Sequence, residues 1–159
     1  MKAVAKIVFL LLISAGAIFS QGKKEVKKNS IKTVTVVDLE NGKTLKNKVC
    51  EFDKNGETIT DEDYTKDGVL NKRYKYKYNK GGDVVEEEEY DEKTKETEKH
   101  IYKYNSLGEK IEEQIFDNSG KKIKTHYYTY NARGLKLERK TMDASGKVVS
   151  VRMYTYTYN

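Results

Sequence analysis

The sequence predicts an all-β protein, an antiparallel up-and-down meander of about ten strands that curls as an open sheet. Three observations predict it: the chain has no proline, glycine recurs after residue 20 at intervals of 12 or 14 residues, and the segments between glycines are rich in Val, Ile, Thr and Tyr. Such segments are typical of strands, and short turns join only antiparallel neighbours.

Residues 1–20 predict an export signal. Two lysines precede an apolar run from Ile7 to Phe19, which is short for a membrane span. Cleavage after Ala17 and cleavage after Ser20 both fit the small residues that end the run. We therefore expect an exported protein of the periplasm, cell surface or medium that does not span the membrane once the signal is removed.

The remainder divides into a polar, basic linker, residues 21–30, and one β-repeat domain, residues 31–159. The formal net charge of +6 falls to +4 when the two signal lysines are removed. Acidic runs such as Glu86–Glu89 interrupt the lysines, so no continuous basic stripe is present and nucleic acid is not an expected partner. Only 36% of residues are hydrophobic, which predicts a thin core.

Cys50 is the single cysteine of the chain. It lies far beyond the apolar run and is therefore not the lipid-bearing cysteine of a lipoprotein signal. One cysteine also excludes an internal disulfide framework. We expect a thiol packed within a strand.

The glycines define a repeat. They are Gly42, Gly56, Gly68, Gly82, Gly108, Gly120, Gly134 and Gly146, and the one long gap, of 26 residues, divides at Thr94. Thr94 is thus assigned to a turn that lost its glycine, and the repeat unit is 26 residues, two strands and two turns. Turns such as "DKNG" and "DNSG" place Asp or Asn three residues before glycine, which predicts a type I turn, a left-handed residue and a bulge in a three-residue hairpin loop.

Three-residue loops predict that even-numbered residues share one face of the sheet. Fourteen of the fifteen aromatic residues after the signal are even-numbered, whereas odd positions collect aliphatics such as Ile101 and Ile115. This predicts one aromatic face and one aliphatic face, with the aliphatic face inside the curl.

The candidate binding surface lies on the aromatic face, where the phrase Tyr-x-Tyr-Asn-x-x-Gly recurs. We call it the tyrosine face; its residues are Tyr76, Tyr78, Tyr102, Tyr104, Tyr128, Tyr130, Tyr154, Tyr156 and Tyr158. Pairing across the turns predicts one row of Tyr104, Lys110 and Tyr128 and another of Tyr130, Lys136 and Tyr154. Two interpretations stay open. In the first, the face is solvent-exposed and stabilised by contacts between its own lysines and tyrosines; in the second, it is a platform that binds a glycan or a protein.

Catalytic patterns are not found in the sequence. His100 and His126 are one repeat apart, which puts their backbones roughly 10 Å apart on alternate strands, too far for a tight two-histidine metal site. No phosphate loop, calcium loop or nucleophile elbow occurs. We expect no enzyme activity, cofactor or metal, and instead a binding or envelope-structural module with an unknown protein or glycan partner, in which homo-oligomers are possible. The alternative is a periplasmic carrier whose aliphatic face curls around a lipid or other apolar ligand.

The stretches "FDKNG", "YDEKT", "FDNSG", "YNSLG" and "YNARG" resemble the YD repeats of the RHS family. The resemblance implies an exported β-meander. This chain differs from the RHS family in its longer repeat unit and in the absence of the arginine that often follows the glycine in that family. RHS arrays enclose toxin cargo, a role that about four units are too few to fill. MORN-like repeats, which also string aromatic hairpins into open sheets, are a second resemblance.

Overall fold

The computed structural model describes residues 22–158, which form one ten-stranded sheet in which each strand pairs only with its neighbours in sequence. The strands are β1 (Thr33–Glu40), β2 (Lys43–Phe52), β3 (Thr58–Tyr64), β4 (Leu70–Tyr78), β5 (Val84–Asp91), β6 (Glu96–Tyr104), β7 (Lys110–Phe116), β8 (Lys122–Tyr130), β9 (Lys136–Asp143) and β10 (Val148–Met153). All pairs are antiparallel and β1 is not paired with β10, so the predicted open meander is confirmed. The predicted signal lies outside the described residues.

Seven of the nine hairpins in the described residues have the predicted three-residue loop. The β1–β2 hairpin differs, because Glu40 pairs with Lys43 and its two-residue loop, Asn41 and Gly42, has positive φ at both positions. In the β7–β8 hairpin, Asp117 N donates to Lys121 O at 3.0 Å, and Gly120 is left-handed with φ of 78°. The Asp117 carboxylate accepts the backbone N–H groups of Ser119 and Lys121 at 2.9 and 3.0 Å. The aspartate thus fixes the turn and the glycine supplies the positive φ, which other residues adopt at a cost.

The prediction that even-numbered residues share one face is wrong, because eight of the nine hairpins carry a bulge within the strands. The unpaired residues are Asn47, Ile59, Asn71, Val85, Ile111, Ile123, Leu137 and Val149. In seven hairpins the bulge comes three residues after the glycine. One extra residue shifts the pairing register by one, so even residues of one strand lie opposite odd residues of the next.

Aromatic and aliphatic residues are therefore less segregated than predicted. The even-numbered Tyr64, Tyr90 and Phe116 lie on the face opposite the tyrosine face, whereas the aliphatic Ile115 lies on the tyrosine face opposite His100. The predicted continuous aliphatic face does not form, because the bulges divide its members between both faces.

The β5–β6 hairpin has no bulge. Its loop is one residue longer: Asp91 pairs with Glu96, and Lys95 N donates to Asp91 O at 2.8 Å. Lys95, with φ of 60°, takes the left-handed conformation that the sequence assigned to the position of Thr94. The added loop residue produces the same one-residue shift that a bulge produces elsewhere, so the alternation of the sheet continues.

A short helix, α1 (Lys23–Lys28), lies within the predicted linker and was not predicted. Its Val26 is only 1% exposed, and Lys23 forms an ion pair with Glu57. At Gly56, an added Cβ would lie 2.5 Å from the Lys23 carbonyl oxygen, so this glycine permits both the turn and the close approach of α1.

The core is thin. The buried apolar and aromatic residues of the described chain are Val26, Cys50, Ile115 and Tyr128. Most other strand residues are half-buried, as expected of a sheet whose two faces are covered mainly by their own long side chains. Within residues 22–158, no helix is both long and apolar enough to cross a membrane.

Candidate functional site

The tyrosines of the tyrosine face that belong to β4, β6 and β8 lie on one side of the sheet, and Tyr154 and Tyr156, which follow β10, contact Lys136. Residues directly opposite in an antiparallel pair project to the same face. Tyr76 lies opposite Glu87, Glu87 lies opposite His100, and His100 lies opposite Ile115. Ile115 in turn lies opposite Lys124 on the strand that carries Tyr128 and Tyr130. These strands alternate along the sheet, so two hairpins lie between one and the next. Each hairpin shifts the register by one residue, and two such shifts return the even-numbered residues to the same face.

The second tyrosine of each Tyr-x-Tyr-Asn phrase has a repeated structural role. Its hydroxyl donates to the main-chain carbonyl of the residue twenty positions earlier, which begins the preceding odd-numbered strand and stands immediately before the bulge residue. These bonds are Tyr78 to Thr58 (2.7 Å), Tyr104 to Val84 (2.6 Å), Tyr130 to Lys110 (2.8 Å) and Tyr156 to Lys136 (2.7 Å). The phrase therefore secures the bulge as well as the turn.

The first tyrosine of the phrase bonds to a carboxylate in two repeats. The Tyr102 hydroxyl donates to Glu87 at 3.1 Å, and the buried Tyr128 hydroxyl donates to Glu113. Burial, followed by the neighbouring acids, raises the pKa of both phenols. Both hydroxyls are therefore protonated donors at neutral pH.

Lysines and tyrosines alternate in a continuous ladder across the C-terminal half of the tyrosine face. The Lys110 Nζ lies 4.4 Å from the Tyr102 ring centroid and 5.3 Å from that of Tyr128. The Lys136 Nζ lies 4.5 Å from the Tyr128 centroid and 5.8 Å from that of Tyr154. These distances are within the range of cation–π attraction.

The strand register confirms the predicted pairs of Tyr104 with Lys110 and Tyr130 with Lys136. The ammonium groups nevertheless lie over the rings of Tyr102 and Tyr128, on the same strands. Each lysine thus reaches the ring two residues further from the turn than the tyrosine directly opposite it. Tyr104, Tyr130 and Tyr156 consequently have no lysine or arginine over their rings among the described residues.

Glu113 is the centre of the polar network on this face. Its residue is 9% exposed, and its carboxylate accepts from His100 Nδ1 at 2.9 Å, from Lys110 Nζ at 3.1 Å and from the Tyr128 hydroxyl. Burial opposes ionisation of Glu113, but the bonds from His100, Tyr128 and Lys110 outweigh it and hold its pKa well below its usual range. The bond to Glu113 is also the largest cause of a raised His100 pKa.

The two histidines flank Glu113 and have different partners. His100 also contacts Glu98 through Nε2 at 2.9 Å, whereas His126 Nδ1 lies 2.9 Å from the Thr141 hydroxyl. Burial lowers the pKa of His126. In the part of the chain that the structure describes, no group of three or more His, Cys, Asp or Glu side chains is placed to hold a metal ion.

The opposite face carries two shallow depressions, of about 190 and 410 Å³. The larger has Ile101 and Phe116 among residues of β5, β6 and the β7–β8 turn, most of which are polar. Glu88 and Thr97 border both. Neither has a continuous apolar lining.

Sequence reasoning missed Glu113 and Arg139 as members of this face. Neither residue was assigned to a site from the sequence, although both occupy one position of the 26-residue repeat together with Asp61 and Glu87. That periodicity was the available signal. Their placement beside even-numbered tyrosines required the bulges, which the sequence analysis confined to the turns.

Comparisons with known proteins give little further information. No protein family matches the chain, and no curated protein matches it. Among solved structures, the chain is similar to a crystal structure of a protein of unknown function from Bacteroides fragilis NCTC 9343, with 13% sequence identity and a TM-score of 0.22. That match covers 80% of this chain and 96% of the other.

Proposed function

We propose that this chain is an exported, non-enzymatic β-repeat protein that binds a protein or glycan partner through its tyrosine face, as an interaction or structural module of the cell envelope. The observation that carries the proposal is the state of Tyr104, Tyr130 and Tyr156. Their hydroxyls are tied to the main chain, and their rings are free of covering cations among the described residues.

Such rings suit recognition for a thermodynamic reason. Aromatic side chains supply large contact areas, and a ring that is already immobilised loses little conformational entropy on binding. Tyr104 and Tyr130 lie on alternate strands, about 10 Å apart. An open sheet therefore presents rigid aromatic contacts at regular intervals to an extended ligand.

The carrier alternative requires a continuous aliphatic face, and the bulges divide that face. The depression beside Ile101 and Phe116 is shallow and bordered by charged residues. We therefore do not propose an apolar cargo.

Replacement of Tyr104, Tyr130 and Tyr156 by Ser tests the proposal. The matched control replaces Tyr64, Tyr90 and Tyr127, three tyrosines of the opposite face, by Ser. Each protein, residues 21–159, is used as bait against purified envelope glycans and an envelope and medium extract of the native cell. A partner that the control retains and the test variant loses supports the proposal.

A triple Phe variant at the same three positions separates recognition from folding. It keeps the rings and loses the hydroxyl bonds, so it binds if ring contact is the requirement. All baits are first compared by circular dichroism. Equal retention of every partner by folded test and control variants would contradict the proposed role of these rings.

Export has its own test. Fractionation of native cells combined with intact mass measurement locates the protein and its first residue. A protein starting at Ile18 or Gln21 outside the cytoplasm is the expected result, and an intact cytoplasmic chain would contradict export.

A further inference from the structure

Two arginines face each other at the C-terminal end of the tyrosine face. Arg139 of β9 lies directly opposite Arg152 of β10, and on its other side it lies opposite Tyr128. Like charges in directly opposed positions destabilise a sheet. Further toward the N-terminus the same face pairs opposite charges instead, as in the contacts of Lys48 with Asp61 at 2.7 Å.

Residues 22–158 supply no acid that forms an ion pair with either arginine. Among the ion pairs of residues 22–158, none includes Arg139, Arg152 or the neighbouring Lys136. Arg139 Nε is inaccessible to solvent and has no hydrogen-bond partner in the described chain. Among the residues of β8 to β10, the acid that the register places on this face is Asp143, which lies opposite Lys124. Glu113 of β7 already accepts bonds from His100, Lys110 and Tyr128.

Four acids of the N-terminal half lie on this face and already have partners within the chain: Asp61, Asp63, Glu87 and Glu89. Lys48 forms ion pairs with Asp61 and Asp63, Lys72 forms one with Glu89, and the Tyr102 hydroxyl donates to Glu87 at 3.1 Å. A face-to-face dimer would have to break these pairs in order to supply anions to the arginines. The missing negative charge is therefore better supplied by a separate ligand.

We propose that the C-terminal end of the tyrosine face binds an acidic glycan, whose carboxylate or sulfate groups lie between Arg139 and Arg152 and whose sugar rings pack on the neighbouring tyrosines. The inference rests on the proposed function and names its ligand class. A guanidinium group presents paired N–H donors that match the oxygens of carboxylate and sulfate. Tyr130 and Tyr156 provide flat surfaces for sugar rings on the same face, a combination that an acidic peptide does not require.

Direct binding to defined polymers tests the proposal. The probes are polygalacturonate and dextran sulfate as acidic glycans, neutral dextran, and poly-L-glutamate as an acidic peptide. The test variant is Arg139→Gln/Arg152→Gln. The control, Lys24→Gln/Lys28→Gln, removes the same charge from the exposed helix α1.

The expected result is binding of at least one acidic glycan, no binding of neutral dextran, and an affinity about tenfold weaker or more in the arginine variant, since hydrogen bonds to charged groups are lost. The control variant should stay within about twofold at fixed salt, because α1 packs beside the β2–β3 turn, far along the sheet from β9 and β10. Arg152→Gln alone, at an exposed position of the last described strand, serves if the double variant is not folded and should weaken binding in the same direction.

Several results would overturn the inference. Equal weakening by the control variant would mean attraction by net charge only, and equal or tighter binding of poly-L-glutamate would point to an acidic protein. A dimer, detected by sedimentation, that dissociates in the arginine variant would assign the pair to self-association. If the triple tyrosine variant loses a partner that the arginine variant retains, the proposed function stands and the acidic-glycan inference fails.

Discussion

Replacing Glu113 by Gln removes the charge of the one buried carboxylate in the described chain while keeping the shape of the side chain. Three donors converge on this group, from His100, Lys110 and Tyr128. The side chains of Glu113 and His100 are 12% and 13% exposed, so neither recovers full hydration in the folded variant. The neighbouring Glu112 is the control, because its side chain is 15% exposed but it bonds to the exposed Lys103.

The expected cost is substantial. A hydrogen bond to a charged group contributes about 1.5–3 kcal/mol, and the amide oxygen of Gln replaces one of the three acceptor interactions. Because the side chain of Lys110 is 31% exposed and can turn toward water, its share is discounted. We expect Glu113→Gln to lower the free energy of unfolding by about 2–4 kcal/mol and Glu112→Gln by about 1 kcal/mol or less.

The pH dependence gives a sharper test. The lowered pKa of Glu113 stabilises the fold fully above the ordinary carboxyl pKa of about 4.3, and that stabilisation is lost as pH falls toward the folded-state value. The raised pKa of His100 stabilises the fold fully below about pH 6.5, and that contribution is lost as pH rises through the folded-state value. The difference between wild type and Glu113→Gln should therefore be greatest between about pH 4.3 and 6.5 and smaller at lower and higher pH.

Urea unfolding followed by circular dichroism at pH 3, 5.5 and 8 measures this difference. A difference that is the same at all three pH values would refute the assignment of Glu113 as the charged acceptor of His100. Equal destabilisation by Glu112→Gln would refute the importance of the three donors that converge on Glu113.

Three further predictions concern the turns, the bulges and the thiol. Tyr130→Phe should lower the free energy of unfolding by about 1 kcal/mol in the same urea assay, because it removes the hydrogen bond to the Lys110 carbonyl beside the bulge. Tyr127→Phe should change it by no more than about 0.5 kcal/mol. Equal effects of the two substitutions would contradict the structural role of the Tyr130 hydroxyl. Gly120→Ala should lower the free energy of unfolding by about 1 kcal/mol, because alanine is strained at positive φ although the space around its Cβ is open. Gly56→Ala should lower both the stability and the thermal midpoint more than Gly120→Ala does, because its Cβ also meets a carbonyl of α1. The reverse order of thermal midpoints would contradict the packing of α1 against this turn. Burial raises the pKa of Cys50 to about 11. Iodoacetamide at pH 8 should therefore alkylate the folded thiol about a hundredfold more slowly than the urea-unfolded thiol, because the thiolate is the reactive form. Similar rates would show that the thiol is accessible and ionises normally.

Local structure was predictable where one short segment contains all its determinants. The turn "DNSG" supplies both the acid that accepts the loop N–H groups and the glycine that takes the positive φ, so its loop length followed from the sequence. The absence of proline and the short turns fixed strand number and antiparallel order in the same way. The β5–β6 turn lacks glycine, and there the sequence assigned Thr94 where Lys95 is left-handed.

The membership of the faces was predictable only in part. Tyr102 and Tyr128 share a face as predicted, because two bulges separate alternate strands and their shifts cancel. Tyr90 and Ile115 were misplaced, because a single one-residue shift separates adjacent strands, from the longer loop between β5 and β6 and from the bulge between β6 and β7. A bulge is a property of strand pairing, and its position follows from how two segments fit together.

The sequence by itself determined the repeat, the strand order and the set of tyrosines that share a surface, because these depend on spacing along the chain. The tertiary structure decided which side chains meet across strands: Lys110 with Tyr102 and Tyr128, Glu113 with His100, and Arg139 with Arg152. The physical reason is that one unpaired residue per hairpin moves each strand by a full side-chain position. Ion pairs, buried acceptors and uncompensated charges all depend on that register.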